Sequence, residues 1–255
     1  MPALSDKQPA PYLVPGAREL IDLAAVAKAG GDNLRGQRYL APEFQTEAAK
    51  ADAVVAGLAG AHDTYRKGFE ALQKAANAKD PAMTPEAGFL DLKRRADAWI
   101  DDASKRATAA TAQAKRAIEG IDNDIRARLE ISEGPRSEEI RGHFKGLKEN
   151  ERFALAMKAV EAGDKETIAS LLIGPAYLTG LSDDQRNVLR NQMAEKFAGD
   201  LVTRKKVIEK GIAINDQSLN ELLLAYGEIF PKHRVDEVTK AVQAAKAVRD
   251  EFFKL

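Results

Sequence analysis

Two long proline-free runs constrain this chain more than anything else in its sequence: Phe44 to Ala76, and Glu86 to Ile131. In the first, Phe44, Ala48, Ala51, Val55, Leu58, His62, Tyr65, Phe69, Leu72 and Ala76 recur at alternating steps of four and three. In an α-helix that spacing gathers one narrow apolar stripe, the seam by which a helix lies along another. The second run answers with Leu92, Ala96, Trp99, Ala103, Ala107, Ala110, Ala114, Ala117, Ile121 and Ile125. Between them, Lys79 to Pro85 includes Pro81 and Pro85, and an unbroken helix does not pass through such a stretch. The expectation is an all-α chain built on a long antiparallel, coiled-coil-like helical hairpin. Its arms would be roughly 50 Å and 69 Å long at about 1.5 Å per residue.

The seam of the second arm is nearly all alanine from Ala103 to Ala117. Alanine lets helices approach closely but removes little area from water, at about 25 cal/mol per Å². Such a hairpin needs cover from other helices or other chains. Gly57, Gly60, Gly68 and Gly120 interrupt the arms, each costing about 1 kcal/mol against alanine. They are read as points where a crossing helix comes close, because the heptad spacing continues through them.

Around the hairpin the chain changes character. Residues 1–15 carry Pro2, Pro9, Pro11 and Pro15 and read as an extended arm. Such an arm lies on its own body or on a neighbouring subunit, with Pro11, Tyr12 and Leu13 as candidate contacts. Ala17 to Ala29 reads as a short helix stopped by Gly30-Gly31. After Gly134-Pro135 the helices become shorter. Ser137 and Asp164 read as caps, and Ser182 to Gln185 and Ser218 to Glu221 as capping boxes. Ile212-Ala213-Ile214 is the one short strand candidate. Three segments result: arm and short helix 1–41, hairpin 42–134, and a compact helical domain 135–255.

Lys and Arg number 39, as do Asp and Glu, and the balance holds segment by segment. No basic footprint marks nucleic acid as a main partner, although a DNA contact is left open. There is no cysteine, which excludes disulfides and thiolate chemistry. The first residues lack the apolar core of a secretory signal, and no run approaches the roughly 18 apolar residues of a membrane span. A soluble chain with no membrane partner is expected.

The sequence offers little chemistry. His62, His143 and His233 lie far apart without ligand spacing, so no metal or cofactor is expected. His62 falls on the apolar seam and reads as a core histidine bonded to a neighbouring helix. Asp97 and Asp101 share a helix face, but Lys93, Arg94 and Lys105 neutralise them, giving a solvated face. Gly142 and Gly146 read as a close-packing pair at most. The most distinctive stretch, Leu171 to Leu181, is apolar and broken by Gly174-Pro175. It reads as a buried connection or, alternatively, as a docking loop presenting Pro175, Tyr177 and Leu178.

This stretch in its setting carries a resemblance. Met157-Lys158-Ala159-Val160-Glu161-Ala162-Gly163-Asp164, then Leu178-Thr179-Gly180-Leu181-Ser182-Asp183 and Arg186, resemble mostly uncharacterised helical proteins encoded among the structural genes of tailed bacteriophages. The resemblance covers a minor part of the chain, and its motif is structural. It implies a virion-associated or head-morphogenesis protein made in the host cytoplasm, and carries over no catalytic or ligand residue.

The expected function is therefore a non-enzymatic structural subunit, partnered by copies of itself and by other structural proteins. Phe44, Val55, Leu58, His62, Tyr65, Phe69, Leu72, Trp99, Ile121 and Ile125 would form the helix seam. A transient scaffold is the first alternative. The second is a helical binding module with a pocket near His62, Tyr65 and Trp99.

Overall fold

A computed structural model describes residues 20–78 and 81–252. Every regular element among them is helical. Helix α1 spans Leu23–Lys28 and α2 Asp32–Arg35. Two 3₁₀ turns, Arg38–Leu40 and Pro42–Phe44, lead into α3, Glu47–Ala51. Then come α4, Ala53–Asn77, and α5, Pro85–Leu129. Four shorter helices follow: α6 Ser137–Gly146, α7 Glu149–Ala162, α8 Lys165–Leu172 and α9 Ala176–Thr179. The chain ends in α10, Asp183–Ile229, and α11, Lys232–Phe252.

Contacts group the chain into two units, each assembled from separate stretches. Of the described residues, the first takes in those up to Leu40, Leu58–Ala109 and those from Ala213 on; the second takes in Ala41–Gly57 and Ala110–Ile212. Helices α5 and α10 contribute residues to both.

In the first unit the core is aromatic and aliphatic. Tyr65, Phe69 and Leu58 of α4 are fully buried, with Leu34, Leu222, Ile229 and Phe230 also inside. Burying one such side chain is worth about 1.5–3 kcal/mol. Phe89 and Phe230 meet tilted, with ring centroids 5.5 Å apart, a geometry that lets ring edge face ring density. Trp99 of α5 lies where a side chain at Gly68 of α4 would have to be. That position is the close approach expected of the interrupting glycines. At Gly57, Gly60 and Gly120 an added Cβ would meet nothing within 4 Å, so close packing does not explain them. Gly142 and Gly146 are equally open, which removes the packing role read for that pair.

The first long run is not one helix. Thr46 accepts from the Ala49 N–H at 3.2 Å and so begins α3; Asp52 accepts from the Val54 N–H at 2.8 Å and so begins α4. Short polar side chains that bond the local backbone stop one helix and start the next. The break shifts the register: Ala49 is buried, while Ala48 and Ala51 are exposed.

The second unit is centred on Leu129, Phe144, Ala156, Val160, Ile168, Leu171, Leu172, Leu181, Leu189 and Met193. Its helix starts are partly those expected. Asp164 caps α8 through the Thr167 N–H at 3.0 Å. The Ser182 and Gln185 side chains reciprocally take up each other's N–H, at 3.2 and 3.0 Å. Ser137 is different: it lies inside α6, accepts from the Gly134 N–H at 3.0 Å and from the Ser170 hydroxyl at 2.9 Å, and is buried. Ser218 to Glu221 and Ile212 to Ile214 both lie within α10, so neither a helix start nor a strand forms there. Continuous helical bonding on both sides leaves those side chains free for tertiary contacts instead. Helix α10 departs from helical angles at Ala198, φ −139° and ψ 34°, a kink beside Gly199, a weak helix former.

Candidate functional site

Two places bring polar groups together, one in each unit. In the first unit His62, 4% exposed, bonds through Nε2 to the Asn33 carbonyl oxygen at 2.9 Å. The Ser218 hydroxyl donates to the same oxygen at 3.2 Å and to Ile214 O at 2.8 Å. Asn215 donates from Nδ2 to Leu58 O at 3.0 Å, and its Oδ1 accepts from the Tyr39 hydroxyl at 3.2 Å. Glu221 closes the set, accepting from Asn33 Nδ2 and from the Leu34 N–H, each at 2.8 Å. Short helix α2 is thus tied to α4 and α10 by side chains that satisfy backbone groups.

Burial holds the His62 imidazole below its usual pKa; the Asn33 carbonyl opposes that shift, Arg66 and Arg38 reinforce it, and Asp63 opposes it. Burial also pushes the Tyr65 hydroxyl up to about 12, with Asp216 adding to the shift. Among the described residues that hydroxyl has no hydrogen-bond partner. The histidine is neutral and engaged, and the cluster reads as a fastening between helices.

The second place is an open groove of about 500 Å³ in the other unit. Helix α6 presents Glu139, Ile140 and His143 to it, and α7 presents Leu155, Lys158, Ala159 and Ala162. Both sets follow the spacing that puts residues on one helix face. Phe144 underlies the groove, and Arg136, Asp164 and Thr167 line it as well. Arg136 is bridged to Glu166 at 2.5 Å. The Asp164 carboxylate takes the Thr167 hydroxyl at 2.6 Å and the Thr167 N–H at 3.0 Å, which hold its pKa below the usual carboxylate range. It is an ionised cap and holds no proton to donate. With an apolar floor and balanced charges above it, the groove suits an uncharged, apolar guest.

Family models, curated proteins and solved structures were all compared with the chain, and none matches. Among the described residues, no three His, Asp or Glu side chains gather as metal ligands, and no helix is long and apolar enough to cross a membrane.

The residues singled out in the sequence are distributed over both units. In the first, Leu58, His62, Tyr65, Phe69 and Leu72 are buried and Trp99 half-buried; in the second, Phe44, Val55 and Ile121 are buried and Ile125 half-buried. The Gly-Pro connection divides: Leu171, Leu172, Thr179 and Leu181 are buried, Leu178 is half-buried, and Pro175 and Tyr177 are exposed, Tyr177 by 70%. Pro11, Tyr12 and Leu13 lie outside the described residues. The Asp97 carboxylate receives Lys93 at 2.7 Å and the Tyr226 hydroxyl, and Asp101 receives Lys105 at 2.5 Å, as neutralised surface carboxylates do. The groove was missed. Its only signal was the matched spacing of Glu139, Ile140 and His143 with Leu155, Lys158, Ala159 and Ala162.

Proposed function

We propose that the chain is a non-enzymatic structural subunit of a large assembly, a tailed-phage particle by the resemblance of Met157 to Arg186. In this reading α4 and α5 form the long hairpin, with a coiled-coil-like seam supported by the Trp99–Gly68 contact. The observation that carries the reading is the end of α11. Residues 241–251 are all exposed, including Val242 and Val248, the latter by 69%. An isolated helix of about three turns gains little from its own hydrogen bonds. An uncovered helix with valines along it is what a subunit offers to a neighbour. Leu224, exposed by 71%, and Tyr177 add further apolar surface.

Light scattering at two protein concentrations and two salt levels tests the reading. A discrete or concentration-dependent oligomer is the expected result. A monomer at every condition, with residues 241–255 removable without effect on particle formation, would sink it.

A further inference from the structure

We infer that the groove between α6 and α7 receives the proline-rich segment of residues 8–17 from a second copy of the chain. The inference rests on the assembly reading above and names the site at which one subunit would hold the next.

Segment and groove match in charge. Gln8 to Ala17 contain no charged residue, and Pro11-Tyr12-Leu13-Val14-Pro15 are apolar apart from one phenol. The groove matches that neutrality. Arg136 is taken by Glu166 and Asp164 by Thr167, leaving one lysine, one glutamate and a histidine above an apolar floor. A strongly acidic guest would face Glu139 and a strongly basic one Lys158, whereas an uncharged one opposes neither sign.

Segment and groove match in shape as well. A volume of about 500 Å³ lies within the range of about 300–1,000 Å³ in which sites bury most of a small guest. It suits a few side chains of an extended segment. Proline-rich segments dock this way at low entropic cost, because their φ angles are already restricted. Leu155, 37% exposed, is the large apolar side chain the guest would cover.

Leu20 is the first described residue, and the nineteen before it supply a segment of the required chemistry from the same polypeptide.

The chain has no cysteine, so introduced thiols report one contact each. Tyr12→Cys and Leu155→Cys are made separately in the full chain, mixed and oxidised. The expected result is a disulfide-linked dimer containing one of each, several-fold above either variant alone and above Tyr12→Cys mixed with Ala112→Cys. A third variant carries both Tyr12→Cys and Leu155→Cys, and a link formed only within its single chains would overturn docking by a second copy. No link in a preparation that light scattering shows to be oligomeric would overturn the groove assignment and leave the assembly reading standing. No link in a monomeric preparation would overturn both.

Discussion

Arg186, in the first turn of α10, donates from Nη2 to the carbonyl oxygen of Leu172 at 2.6 Å, and to that of Gly174 at 2.7 Å. The side chain is 6% exposed and closes the end of α8. Arg152 does the same work for α6, donating to Phe144 O at 2.9 Å and Leu147 O at 2.7 Å. Arg35 caps α1 through Ala27 O at 2.7 Å. Cations suit helix C-termini, where unpaired carbonyls carry partial negative charge. Replacing Arg186 by Gln should cost about 2–3 kcal/mol, since a charged donor is lost and buried carbonyls are left unpaired. A denaturant titration measures it; a loss near zero would mean water replaces the guanidinium.

Two glycines on long helices should respond with opposite signs. Gly120→Ala adds a methyl into open space and should stabilise by about 1 kcal/mol. Gly68→Ala forces the Trp99 indole aside and should destabilise by about 1–3 kcal/mol. Trp99 is the single tryptophan, so its emission should shift in the second variant and stay fixed in the first.

His62 predicts a pH dependence. Its pKa lies below the ordinary 6.5 in the folded chain. As pH falls through 6.5 the unfolded chain takes up the proton first, so native stability drops until the folded pKa is passed. Above 6.5 both states are neutral and the contribution to stability is whole. His62→Gln should remove that component from a stability profile between pH 7 and 5. An unchanged slope would assign it to other groups.

Asp52 acts in the opposite range. Burial pulls its pKa up, but Arg204 and the N–H groups of Val54 and Val55 hold it below the usual value near 3.8 overall. Its contribution is present above that value and is lost as pH falls through the lower folded pKa. Asp52→Ala should cost about 1–2 kcal/mol through the lost cap. A double-mutant cycle with Arg204→Ala should give a coupling of about 1 kcal/mol or less, since Arg204 is 44% exposed. A larger coupling would show the pair to be shielded from water.

The helical class and much of the core were legible because apolar side chains repeat at helical spacing over long distances. Val55, Leu58, Tyr65, Phe69 and Ile121 are where that spacing puts them. What periodicity carries poorly is the use of polar side chains. Asp52 breaks a helix and Ser137 bridges two, whereas Ser218 serves tertiary contacts from mid-helix; each looks like a cap when only its neighbours are known. The arginines escaped notice for the same reason, since their partners are carbonyl oxygens that the sequence does not display. The groove is formed by two ordinary helix faces and becomes visible only when they are brought side by side.

The way the two units draw on the chain has a consequence for its birth. On a ribosome, chain emerges from the N-terminus, and folding units tend to close as they are completed. The unit containing Ala41–Gly57 and Ala110–Ile212 has all of its residues by position 212. The unit that holds Leu58–Ala109 needs residues from Ala213 onward, so that stretch finds its partners only after the other unit has all of its residues. Until then, Tyr65 and Phe69 wait without Leu222, Ile229 and Phe230, which are buried in the same unit. A product stalled before Ala213 would expose that aromatic face, making the segment from Ala213 onward a checkpoint on synthesis.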